Sequence, residues 1–489
     1  MSEEQKSPIT RFVEWIDSRF GFSNTILRPG PKYTFTPTYW LGGLAFLVFM
    51  LQGVTGAILL MFYTPSTDAA YELTSKMISS VPFGALLQTV HLYGGYAMII
   101  LALIHFLRCY FEGVYKKPRE LMWMVGMLMG LCTLFMGFTG YILPWTVISG
   151  CAAHISLGII DYLPPQIAGP LKTAIIGIGT DEEILRRFCA YHVVILPAAI
   201  FLLFLIKLHM FEVHGPAEPV TPKHHLPDDA FERRPWFPDV LVYLLMQGLV
   251  FIAVLLLISA LFPLVLPPKF SMEAAASVHP EPEWYFMWMY TLLRINIFSG
   301  TTGVLAVMGM VGIIGLIIFF LPFVDRSEAR HPLERPVATT LGLIGIAEFI
   351  ILIVWGYMTP GENLPTEQAV LVLGLPALII ALVCKYYFDR ILVERGIRTP
   401  KKFAFEFLNF IAKRKYLSIV VFSFLVSMTA CTAAGVVSDA AYGNVLSAMV
   451  GTVFTGALFF LAFALMYLTD KAASIPMKRK FSPLEMGGE

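Results

Sequence analysis

Ten predominantly apolar stretches of about 20 residues, each with at most one charge, set the terms for this chain, at roughly 39–62, 85–107, 121–142, 188–211, 239–266, 302–323, 337–358, 366–384, 416–437 and 445–468. A helical run of that length matches the roughly 30 Å hydrocarbon core of a bilayer. Lipid offers no hydrogen bonds, so each spanning segment must pair its own backbone groups, which leaves transmembrane helices as the solution. Only 14% of residues are charged, against about a quarter in a soluble domain. The expected fold class is an all-α membrane protein of about ten spans. A formal net charge of +1 gives no footing for nucleic-acid binding.

Lys and Arg gather in the N-terminal segment and in alternate loops. The opposite loops hold only Lys76, Lys172, Arg186, Arg187, Lys269 and Arg294. By the positive-inside rule this bias puts both termini on the cytoplasmic side of the inner membrane. Residues 1–38 are charged and broken by polar residues, so a surface-lying amphipathic segment is expected rather than a signal peptide. The polar connection 214–238 separates four spans from those that follow. The chain then divides into 39–213, the linker 214–238, a second helical block 239–388, and a basic linker with two extra spans over 389–489. The six cysteines form no CxxC or CxxCH motif, so they read as apolar fillers and not as a zinc or c-type haem site.

A common ruler runs through the first three spans. His91 and His105 lie fourteen residues apart in the second span, as do Gly42 and Gly56 in the first and Gly126 and Gly140 in the third. Fourteen helical residues advance about 21 Å and return to within about 40° of the starting face. His192 in the fourth span sits at a depth matching His91. Two helices thus offer metal ligands at two levels, while two others offer bare backbone where a flat macrocycle needs room. Any single histidine or glycine here is more simply a packing residue. Three helices sharing one spacing, with His192 at a matching depth on the fourth, point instead to two stacked haems in a four-helix bundle.

The stretches "YWLGGLAFLVFMLQGVTG" (39–56), "HFLRCYFEGVYKKPRELMW" (105–123), "GFTGYILPW" (137–145), "RRFCAYHVVILP" (186–197), "PEWYF" (282–286) and "RPVATT" (335–340) resemble the cytochrome b subunit of quinol-oxidising bc-type complexes, over roughly residues 30–360. The resemblance implies a dihaem bundle with two non-covalent b-type haems. In it His91 and His192 are the axial pair of the low-potential haem and His105 is a ligand of the high-potential haem. It implies that Tyr141 and Glu283 lie at the quinol-oxidation pocket, that Asp239 lies at the quinone-reduction pocket, and that Arg108 and Arg187 steady haem propionates. It further implies quinol and quinone as substrates, a Rieske-type iron–sulfur partner, a cytochrome c-type subunit or equivalent acceptor, surrounding lipid and a homodimer. One electron of each quinol would go to the iron–sulfur partner and the other through both haems to quinone. The resemblance does not extend to residues 400–489.

Three departures stand out. Chloroplast-type relatives attach a further haem through a cysteine just before "LGG", where this chain has Trp40, so no covalent haem c is expected. Gln88 replaces an arginine that contacts a propionate. The family also places a histidine ten residues after the proline of the fourth span, and that count from Pro197 lands on Lys207. His209 is two residues on, about 200° round an ideal helix. Three arrangements remain open: a neutral Lys207 amine on the iron, His209 swung inward by a π-bulge, or a five-coordinate iron with Lys207 reaching to the interface. Helix geometry favours Lys207 over His209. Two rival functions are a dihaem anchor serving a peripheral dehydrogenase and a haem-free transporter with proton-carrying buried residues.

Overall fold

The computed structural model describes residues 8–20, 29–177, 179–220, 226, 228–394 and 456. Among them eight helices are long and apolar enough to cross a membrane. They are α1 (Pro37–Leu60), α2 (Gly84–Phe111), α3 (Glu120–Ile142), α4 (Asp181–His214), α5 (Leu241–Leu261), α6 (Gly300–Phe319), α7 (Pro336–Met358) and α8 (Thr366–Arg390). The ninth and tenth expected spans lie outside the described residues. A separate amphipathic helix covers Pro8–Phe20, with Phe12 and Trp15 exposed.

Two compact units are formed, one of Met1–Phe286 with Phe298–Gly342, the other of Met287–Ile297 with Leu343–Glu489. In the first, α1 packs along α2, α4 along α3, α2 meets α3, and α5 lies against α2. The middle of the bundle is filled by Val48, Phe49, Met98, Leu101 and Ile200, each about halfway along its helix between the two histidine or glycine levels. Phe46 and Phe204 stack there with ring centres 3.6 Å apart. In the second unit Thr291 donates to the Leu352 carbonyl at 2.9 Å, deep in the packing.

Helix ends follow local chemistry that a hydropathy window cannot weigh. The fourth span begins at Asp181 and not near 188, because Thr180 caps it by accepting from the Glu183 N–H at 3.3 Å and three acidic residues occupy the first turn. The helix Val147–Ile160 is apolar but only 14 residues long, too short to cross, and starts with a capping box between Thr146 and Ser149. Helices at Ala70–Ser80 and Pro165–Ile176 join it in the connections between spans. Three π-helical segments, Tyr191–Ile195, Trp236–Val240 and Val370–Gly374, adjoin or contain Pro197, Pro238 and Pro376. Proline has no N–H and crowds the carbonyl four residues back, and a widened turn relieves both.

A buried charged cluster ties the α2–α3 loop to the segment after α6. Lys116 Nζ lies 2.7 Å from Asp325, the Tyr115 hydroxyl donates to Asp325 at 2.6 Å, and Arg335 donates to the Tyr115 oxygen at 2.6 Å. Burial alone would raise Asp325, but hydrogen bonds from Lys116, Tyr115 and Ser327 outweigh it and hold the carboxyl at about 2 instead of 3.8. A depressed carboxyl stabilises the fold above its unfolded value and loses that contribution as pH falls through the folded one. Asp325→Asn strands two buried cations and is expected to cost about 3–5 kcal/mol. The thermal unfolding midpoint in detergent should drop accordingly and its slope between pH 4 and 2 should flatten; an unchanged midpoint would refute the assignment.

Candidate functional site

His91 on α2 and His192 on α4 face each other with ring centres 6.1 Å apart and planes at 79°. Two metal–imidazole bonds of roughly 2.0–2.1 Å, with about 1.1 Å from each nitrogen to its ring centre, would span roughly 6.3 Å. The pair is spaced to hold one iron between them. Each ring is anchored on its far side. His192 Nδ1 donates to the Met136 carbonyl at 2.9 Å, and His91 Nδ1 lies 2.9 Å from Thr55 Oγ1, whose own proton goes to Leu51. Such anchors fix the tautomer and leave Nε2 free to bind.

Glycines clear the space beside these side chains. A Cβ at Gly56 would sit 3.1 Å from His91 Cε1, and one at Gly140 would fall on the His192 ring. The second level repeats the pattern: a Cβ at Gly42 would lie 3.4 Å from His105, and one at Gly126 would lie 2.9 Å from Lys207 Nζ. His105 Nδ1 is buried without a hydrogen-bond partner among the described residues, a costly state for a polar nitrogen. Its Nε2 lies 3.8 Å from Cys109 Sγ. Lys207 is half-buried on the inner side of α4, while His209 is exposed. The donor set and the bare backbone beside it fit a haem at each level.

Both arginines have protein partners. Arg108 makes a two-pronged bond to Glu112, each contact 3.0 Å, and lies 4.0 Å over the Tyr39 ring. Arg187 Nη1 donates to the Thr173 and Ala174 carbonyls, at 3.4 and 3.1 Å, and so caps the end of the Pro165–Ile176 helix.

A second cluster forms where the PEWY stretch meets α2. Glu283 accepts from the Tyr96 hydroxyl at 2.6 Å. Burial raises the Glu283 carboxyl above its usual range, while the Tyr96 hydrogen bond pulls it back down. Burial likewise raises Tyr285, helped by the Glu283 charge. Its hydroxyl would meet a Cβ at Gly137 at 2.9 Å. Tyr141 lies within electrostatic reach of both Tyr96 and Tyr285 and packs on the core around Ile142 and Trp145. The wall is fixed by backbone pairing: Val147 N–H donates to Pro268 at 2.8 Å and Phe270 N–H to Trp145 at 3.1 Å. Tyr96 and Tyr285 escaped sequence reasoning. Tyr96 had one available signal, its place five residues from His91 and so about 140° round α2.

Asp239 is half-buried in the π-helical segment at the head of α5. Just before it, Arg233–Arg234 pairs antiparallel with Gly30–Pro31. A nearby cavity of about 410 Å³ is lined by Tyr39, Glu112, Asp229 and Lys32 among others, with Lys32 ion-paired to Asp229; Asp239 does not line it. Asp229 sits in an irregular linker, where nothing in one sequence marks it.

Comparison with known proteins gives one consistent answer. Residues 96–268 match the family model described as cytochrome b(N-terminal)/b6/petB, and residues 271–375 match cytochrome b(C-terminal)/b6/petD. The chain is 32% identical over 412 residues to "Cytochrome b" of Sulfolobus acidocaldarius, covering 78% of this chain and 71% of that protein. It is 30% identical over 344 residues to "Cytochrome bc complex cytochrome b subunit" of Chlorobaculum thiosulfatiphilum, covering 69% and 78%. A solved chain titled "Hyperthermophilic respiratory Complex III" superposes with TM-score 0.60 at 24% identity, over 77% of this chain and 97% of that one.

Gly140→Val, which drives a branched side chain into His192, is expected to remove one haem from the folded protein. A haem-to-protein ratio alongside circular dichroism would check this. Full haem content in the variant would show that Gly140 clears no such space.

Proposed function

Because the chain belongs to the cytochrome b family, we propose that it is the dihaem, quinol-oxidising subunit of a bc-type respiratory complex. The observation that carries this reading is the facing His91–His192 pair, 6.1 Å apart with glycine beside each ring and the same pattern repeated one level along. When bound, two non-covalent b-type haems supply a one-electron relay between the membrane faces. His91 and His192 hold the low-potential haem and His105 holds the high-potential one, with Arg108 and Arg187 supplying cationic ends for propionates. Trp40 offers no thiol for a covalent haem.

Oxidising quinol frees two protons, and Glu283 is the group placed to take one. Its burial keeps its proton affinity above that of a free carboxylate, and Tyr96 orients it. Tyr141 closes the pocket beside it. On the cytoplasmic side Asp239 delivers a proton to quinone during its reduction. The electrons leave through a Rieske-type iron–sulfur protein and then a cytochrome c-type subunit or equivalent acceptor, and the complex is a homodimer in lipid. The chain sits in the inner membrane with both termini cytoplasmic. A dihaem anchor without quinol oxidation would have no use for a buried carboxylate held by a tyrosine, so this pair favours the oxidising subunit.

Glu283→Gln should lower quinol-driven reduction of the acceptor by about 10²-fold or more with both haems retained. An unaltered rate would remove Glu283 from the reaction. Tyr96→Phe deletes the hydrogen bond that favours the carboxylate, so the acidic limb of the rate profile should move to higher pH; a limb that stays put or moves lower would contradict this.

A further inference from the structure

We infer that Lys207 is the second axial ligand of the high-potential haem, opposite His105. The inference rests on the dihaem reading above and adds to it a ligand chemistry, imidazole plus primary amine, at one of two otherwise parallel sites.

The register of α4 carries the argument. Lys207 lies fifteen residues after His192, whereas the ruler in the other three helices is fourteen. On an unbroken α-helix the extra residue would turn the side chain about 100° further round. The π-helical segment Tyr191–Ile195, closed by a bond from the Leu196 N–H to the Tyr191 carbonyl, contains His192 and absorbs about one residue on the way to Lys207. Fifteen therefore acts as fourteen, and Lys207 returns to the face that His192 occupies. The same shift leaves His209 on the outside, where it is exposed. A bulge does exist in this helix, and it favours lysine over histidine.

Contacts agree with the register. Gly126 faces Lys207 Nζ as Gly140 faces His192, so α3 leaves bare backbone beside both. Lys207 is within electrostatic reach of His105 and Cys109, so the amine points into the bundle and not towards the interface. Among the described residues the titratable side chains acting on it are Cys109 and His105 and no carboxylate, although a lysine in hydrocarbon calls for a partner. Iron would satisfy that requirement. Coordination uses the neutral amine, so the ammonium proton passes to solvent as the iron–nitrogen bond forms.

The test uses the purified, detergent-solubilised full-length protein in its native complex. A pyridine haemochrome assay should give two b-type haems per chain, and a haem-free protein would overturn the functional reading itself. With haem present, near-infrared magnetic circular dichroism and low-temperature electron paramagnetic resonance of the oxidised protein should show two low-spin centres, one bis-imidazole and one imidazole–amine. Lys207→His should convert the second into another bis-imidazole signal with both haems kept. Lys207→Ala should turn that haem high-spin or lose it, and His209→Ala should change neither signal. Two bis-imidazole centres in the unmutated protein, a high-spin centre there, or loss of a signal in His209→Ala would each overturn lysine ligation.

Discussion

Close approach between bare backbone and a ring is the constraint on which the bundle depends. α1 and α3 carry glycine where α2 and α4 carry His91, His105, His192 and Lys207, and in each case an added Cβ would reach the facing side chain. Glycine inside a helix costs roughly 0.5–1 kcal/mol relative to alanine. Four such positions in two helices carry that cost for clearance, because an alanine methyl would crowd His91 and His105 and clash with His192 and Lys207. Between the levels the pattern reverses, and Val48, Phe49, Met98, Leu101 and Ile200 close the middle with side chains.

Proline then acts on the same frame from a distance. Pro197 sits within a spanning helix whose interior hydrogen bonds have no water to replace them, so the missing N–H has to be absorbed by the helix itself. The π turn at Tyr191–Ile195 does this and changes the phase of everything downstream. A helix that must present one group at the His192 level and another about 20 Å away can tolerate such an insertion only if the second group moves one position along. The fifteen-residue interval on α4, against fourteen elsewhere, is that compensation.

Much of this was legible in the sequence, for physical reasons that also mark where legibility ended. The spans could be read because lipid forces a long uninterrupted apolar run, and the two levels because helical periodicity turns a spacing into a direction. Span ends were misjudged where capping took over, as at Thr180 and Asp181, because one hydroxyl outweighs a window average there. The short helices Ala70–Ser80 and Val147–Ile160 went unread because at 11 and 14 residues they are too short to leave a transmembrane signature. Tyr96, Tyr285 and the Asp229 cavity went unread because each depends on segments far apart in the chain. For Lys207 the sequence left three arrangements open, and the phase of the π turn is what the lysine ligand inferred above rests on.

α2 links the two chemistries. His91 and Tyr96 lie on one helix, five residues and about 140° apart, so one face turns to His192 and the other to Glu283. A displacement of the helix at one site is therefore felt at the other without a mobile relay. Thr55 on α1 fixes the His91 ring from behind, and Leu264 N–H donates to Thr89 on the same α2 at 2.9 Å. The loop leading to the PEWY stretch is thus tied to the helix that carries the histidine, two residues before it. In the quinol oxidation proposed above an electron and a proton leave one substrate in different directions, and a shared helix keeps both proposed acceptors at fixed distances from it, which is what proximity catalysis requires.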